Sequence, residues 1–122
     1  MYAYLQKEEH DTIGFLAELL PIRSENRMAV VVWFHYWLRG LNSPALAERR
    51  RANRVEWLEM LEQSLLSMQR KGDIILDEDM DAEIQEIDAI INGIALQAIL
   101  DPDEWPAERQ MAQLRRYFAR LR

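Results

Sequence analysis

Met80-Asp81-Ala82-Glu83-Ile84-Gln85-Glu86-Ile87-Asp88-Ala89-Ile90-Ile91-Asn92-Gly93-Ile94-Ala95-Leu96-Gln97-Ala98-Ile99-Leu100 is the stretch on which the fold turns. At 100° per residue, Met80, Ile84, Ile87 and Ile91 share one side of a helix, opposed by Gln85, Glu86 and Ala89. The second half is apolar on two sides, with Ile91, Ile94, Ala95 and Ala98 on one and Ala89, Gly93, Leu96 and Leu100 on the other. One chain's core absorbs one such side. The other predicts a helix wedged between its own domain and a partner, with the small Ala89 and Gly93 permitting close approach.

Downstream, Asp101-Pro102 closes this helix, and Asp103-Glu104-Trp105-Pro106 opens another. That last helix sets Met111, Leu114, Tyr117, Phe118 and Leu121 against Arg109, Gln113, Arg116 and Arg120. Together the two helices predict half of an isologous four-helix bundle in a twofold homodimer. The residues expected at that interface are Ile84, Asp88, Ala89, Ile91, Gly93, Ala95 and Ala98, with Leu114, Tyr117, Phe118 and Leu121. Asp88 and Asn92 fall beside the seam, either as buried polar groups that fix register or as residues of its solvated edge.

Upstream, four Pro and four Gly separate segments of helical period, and no stretch alternates as a strand, so the chain reads as all-α. A first helix over about residues 11–20 is stopped by Pro21. A second follows Ser24 as N-cap and runs to Gly40 or Leu41. It is apolar nearly all round, which predicts a central position with helices on every side. A third is capped by Ser43, carries Pro44 at its first position and continues to Gly72, with a bend or break expected at residues 49–53. On it Trp57, Leu58, Leu61, Leu65 and Met68 form one apolar stripe, and Arg54, inside that arc, is expected to snorkel to solvent.

The formal charge is −6, and it is unevenly placed: residues 73–104 hold eleven Asp and Glu and no Lys or Arg. The run Asp77-Glu78-Asp79 with Asp81 and Glu83 reads as capping carboxylates at a helix start, since it lacks calcium-loop spacing with a central Gly. A chain of this charge does not hold a nucleic-acid backbone by itself. There is no Cys, which suits a reducing compartment, and neither a signal peptide nor an apolar run of about 20 residues, so a cytoplasmic protein without membrane contact is expected.

No enzyme chemistry can be assembled. His10 and His35 are the only histidines, and neither belongs to a Glu-x-x-His or His-Glu-x-x-His pattern. His35 reads as a hydrogen-bonded core histidine. No metal or cofactor site is expected.

The order of these features resembles a known family. Phe15-Leu16-Ala17-Glu18-Leu19-Leu20-Pro21, then Val31-Val32-Trp33-Phe34-His35-Tyr36-Trp37, then Ser43-Pro44-Ala45-Leu46-Ala47 resemble the C-terminal regulatory domain of TetR-family transcriptional regulators. Residues 90–102 and Pro106-Ala107-Glu108-Arg109-Gln110 are most similar to the Bet-type repressor branch, and the likeness runs over about residues 11–121. It implies one regulatory domain over residues 1–122 whose central helices enclose an inducer pocket. A bound effector would shift the dimer geometry that controls DNA binding.

Pocket walls are expected from Trp33, Tyr36 and Trp37, with Phe34, Trp57, Leu61, Met68 and Asn92 as further candidates; the alternative is that these residues simply fill a core. The partner so implied is a small amphipathic or cationic organic effector. Family members begin with a basic helix-turn-helix domain, and nothing before Tyr2 could form one. The DNA-binding domain is therefore expected to be absent, residues 1–10 to be the remnant of a connecting helix, and DNA to be reached only through that missing domain. The other reading is a dimerisation module without an inducer that modulates full-length regulators.

Overall fold

The computed structural model describes residues 12–76 and 79–122, so the expected connecting-helix remnant at residues 1–10 lies outside the described residues. Five α-helices and no strand occur among them: α1 (Thr12–Ala17), α2 (Ser24–Arg39), α3 (Pro44–Arg70), α4 (Met80–Leu100) and α5 (Ala107–Ala119), with a 3-10 turn over Gly40–Asn42.

Helix ends follow local chemistry. Ser43 accepts from the Leu46 N–H at 3.4 Å and Pro44 occupies the first turn, so α3 starts where its cap places it. At its far end Gly72 takes φ +81°, the Asp73 N–H reaches the Met68 carbonyl and the Gly72 N–H that of Gln69, both at 3.0 Å. This paired closure needs a left-handed residue, which Gly supplies without a Cβ penalty. Asp79 accepts from the Ala82 N–H at 3.0 Å and Asp81 and Glu83 lie in the first turn of α4, as expected of that part of the acidic run, while Asp77 and Glu78 lie outside the described residues.

Several expectations about the helices are corrected. α3 runs unbroken for 27 residues, without a break at residues 49–53; the Arg-rich stretch there continues the helix because its residues are good helix formers. α2 is not central. Val30 is its only buried residue, while Met28, Val32 and Leu38 are more than half exposed. Among the described residues it packs chiefly against α3, α4 and the 3-10 turn. His35 is exposed, not a core histidine. α2 also begins at Ser24 itself, with Arg23 in the cap position.

The core lies between α1, α3, α4 and α5. Phe15, Leu16, Leu19 and Leu20 meet Leu61 and Leu65 of α3, Ile84, Ile87, Ile91 and Ile94 of α4, and Leu114, Tyr117 and Phe118 of α5. Burial of such side chains stabilises by about 1.5–3 kcal/mol each before chain entropy is counted. Tyr117 is buried with its hydroxyl 3.3 Å from the Glu83 carbonyl and 3.4 Å from the Glu83 carboxylate. Burial, helped by the charges of Glu83 and Glu86, pushes its phenol well above the ordinary range. The Arg27 guanidinium donates to the carbonyls of Ala98 at 3.5 Å and Ile99 at 3.2 Å, tying α2 to the negative end of α4.

The two apolar sides of α4 separate. Ile91, Ile94, Ala95 and Ala98 turn inward, while Ala89, Gly93, Leu96 and Leu100 are exposed. Of the residues expected at a dimer seam, Ile84, Asp88, Ile91, Ala95, Ala98, Leu114, Tyr117 and Phe118 are thus spent inside their own chain, and Leu121 packs on the same core. One side of each amphipathic helix suffices to close the core. The outward stripe is Ala89, Gly93, Leu96 and Leu100.

Candidate functional site

α2, the N-terminal half of α3 and the middle of α4 do not close on one another. They frame a cavity of about 550 Å³. α3 contributes Arg49, Arg50, Asn53, Arg54, Glu56, Trp57 and Met60, residues brought to one side by their helical spacing. α2 presents Trp33, Phe34, Tyr36 and Trp37, and α4 presents Asp88, Ile91, Asn92 and Ala95. The ring edge of one aromatic meets the face of another at Phe34 and Trp37, 5.2 Å apart at 85°.

Asp88 is the polar centre of the cavity. Its side chain is 8% exposed and receives the Trp57 indole N–H at 2.7 Å, an Arg54 N–H at 3.1 Å and the Asn92 amide at 3.4 Å. Arg54 also donates to the Gln85 side chain at 2.8 Å. Burying a carboxylate is costly unless donors satisfy its oxygens, and here the guanidinium also supplies the opposite charge. Arg54 therefore holds an anion instead of simply snorkelling, although about a third of its side chain reaches solvent. Arg50 lies over the Trp37 ring, 5.0 Å from its centre.

Six of the eight residues expected to line a pocket do so: Trp33, Phe34, Tyr36, Trp37, Trp57 and Asn92. Leu61 and Met68 do not, being buried in the core at 0% and 8% exposure. For Met68 the reason is axial. Met68 lies eleven residues beyond Trp57, about 16 Å along the helix, past the end of the cavity. Sequence reasoning missed Arg49, Arg50, Asn53 and Met60 as lining residues, although their spacing from Trp57 places them on its face. Asp88, Ile91 and Ala95, expected at a dimer seam, line the cavity as well.

Among the described residues no cluster of three His, Asp or Glu side chains is placed to hold a metal ion, and no helix is long and apolar enough to cross a membrane.

The family profile described as "BetI-type transcriptional repressor, C-terminal" matches residues 13–122. The chain belongs to that family. This BetI-type C-terminal domain is also similar in structure to a transcriptional regulator from Rhodococcus sp. Rha1, with a TM-score of 0.76 and 23% sequence identity over 90% of the chain. The chain spans 65% of that regulator's length. At that identity the likeness carries the all-α TetR-type fold. No curated protein matches the sequence.

Proposed function

We propose that this BetI-type domain is the effector-binding and homodimerising part of a TetR-type transcriptional repressor. The observation that carries the reading is the cavity itself, about 550 Å³ between α2, α3 and α4 with four aromatic side chains from α2 and one from α3 on its walls. Volumes of this order with an apolar lining and a few placed polar groups are typical of small-molecule sites. An effector acts by binding one arrangement of two subunits better than another, so that DNA contact made by a domain outside this chain responds to its concentration.

Dimerisation draws support from the exposed stripe Ala89, Gly93, Leu96 and Leu100. A Cβ built on Gly93 meets nothing within 4 Å, so no contact inside the chain requires a glycine there. A mid-helix Gly instead of Ala costs about 0.5–1 kcal/mol, and close approach by a second copy is a reason to keep it.

The test combines thermal unfolding across a panel of amphipathic compounds with sedimentation equilibrium. A compound that raises the melting temperature of the native chain, but not of the Trp37→Ala variant, supports the site. A dimer that shows no change in melting with any member of the panel leaves a dimerisation module without an effector.

A further inference from the structure

The geometry points to an apolar organic acid as the ligand of this cavity, its carboxylate held by Arg49 and Arg50 and its body lying against the aromatic walls. This rests on the effector reading above and names the chemistry of that same site.

The charges lining the cavity are not equally available. Asp88 already accepts from Trp57, Arg54 and Asn92, so a cationic ligand would have to displace a guanidinium from a buried carboxylate. Glu56, the other acid on the lining, also has an interaction partner. The positive groups are in the opposite condition. Among the described residues, neither Arg49 nor Arg50 takes part in an ion pair. Both nevertheless line the cavity, and Asn53 adds an amide one turn along α3.

The aromatic face supports the same polarity. A quaternary ammonium is bound by open ring faces. Here the Trp37 face is occupied by the Arg50 guanidinium at 5.0 Å. A guanidinium over a ring engages the ring with its charge and keeps several N–H donors for a carboxylate. Beyond the arginines, Phe34, Trp57, Ile91 and Ala95 present carbon surface to an apolar body. The cationic option that the family resemblance suggested is thus disfavoured, and the amphipathic one takes a negative head.

Three probes with one body separate head from tail: octanoate, octanamide and octyltrimethylammonium, each titrated calorimetrically into the native chain and into the Arg49→Gln/Arg50→Gln double variant. Octanoate is expected to bind the native chain about tenfold more tightly than octanamide, with the ammonium weakest. In the double variant the preference for octanoate over octanamide is lost while octanamide affinity is kept, and far-UV circular dichroism confirms an intact helical fold. Arg50→Lys retains charge without the planar fork and is expected to keep only part of the preference. The proposal is overturned if the ammonium binds best, if the three bind equally, or if the double variant keeps its preference for octanoate. If none of the three binds the native chain, this assignment is overturned, while the effector reading is decided separately by the wider melting panel.

Discussion

Trp57 donates its indole N–H to Asp88 at 2.7 Å, joining α3 to α4 across the floor of the cavity. Because Arg54 and Asn92 use the same carboxylate, its removal takes an acceptor from three donors at once, of which Arg54 keeps Gln85. Asp88→Ala is expected to lower the unfolding free energy by about 2–3 kcal/mol, less than the roughly 3–5 kcal/mol for breaking a fully buried pair because Arg54 can turn to water. Trp57→Phe keeps the ring and loses one bond, about 1 kcal/mol. Urea denaturation measures both, and an Asp88→Ala variant as stable as the native chain would contradict the buried assignment.

Gly93 offers a test in which two readouts move in opposite directions. Since a Cβ there meets nothing within the chain, Gly93→Ala should stabilise the isolated fold by about 0.5–1 kcal/mol. In the proposed dimer the added methyl enters the contact, so the same variant should dissociate at higher concentration in sedimentation equilibrium. Gly93→Arg should be monomeric. A dimer indifferent to Arg at this position would remove the outward stripe of α4 from the interface.

Leu61 and Met68 separate core from cavity. Leu61→Ala should cost about 3 kcal/mol, and Met68→Ala about 2 kcal/mol, as buried apolar deletions. Neither should alter the affinity of a bound probe under conditions where the fold is intact, whereas Trp37→Ala should weaken it. Calorimetric titration after a check of the melting temperature reads this directly, and loss of probe affinity in Leu61→Ala would return that residue to the cavity wall.

Tyr117 predicts an alkaline limit on stability. Burial raises its phenol in the folded chain, while the unfolded chain ionises near the ordinary value of about 10. The unfolded state thus releases its proton first, so the contribution is fully present below about pH 10 and is lost as pH rises beyond it. The melting temperature should fall more steeply above about pH 10 in the native chain than in Tyr117→Phe. Parallel curves would show that another group sets the limit.

The parts of the fold legible in the sequence are those decided locally. Ser43-Pro44, Gly72 and Asp79 mark helix ends because caps involve residues three to five apart, and the two-sided pattern of α4 is plain from its period. What spacing alone does not supply is which apolar side meets which helix. α2 looks central on a helical wheel, yet among the described residues it packs chiefly against α3 and α4, and Met28 and Leu38 are exposed. Asp88 was open to two readings because its partners Trp57 and Arg54 lie 31 and 34 residues away. The Arg49, Arg50, Asn53 and Met60 face could have been found by counting back and forward from Trp57 in helical steps.

α4 bears the cavity residues Asp88, Ile91, Asn92 and Ala95 and, about 120° further round, the outward Ala89, Gly93 and Leu96. The two surfaces share a single backbone cylinder about 10 Å across. No relay of side chains has to connect them: turning that cylinder by about 10° carries side-chain atoms on its surface through about 1 Å. A wedge driven against Asp88 is thereby the same mechanical event as a shift of Gly93. In the proposed dimer, stiffness of one helix, and not a pathway, would set how faithfully occupancy on the inside is written on the outside.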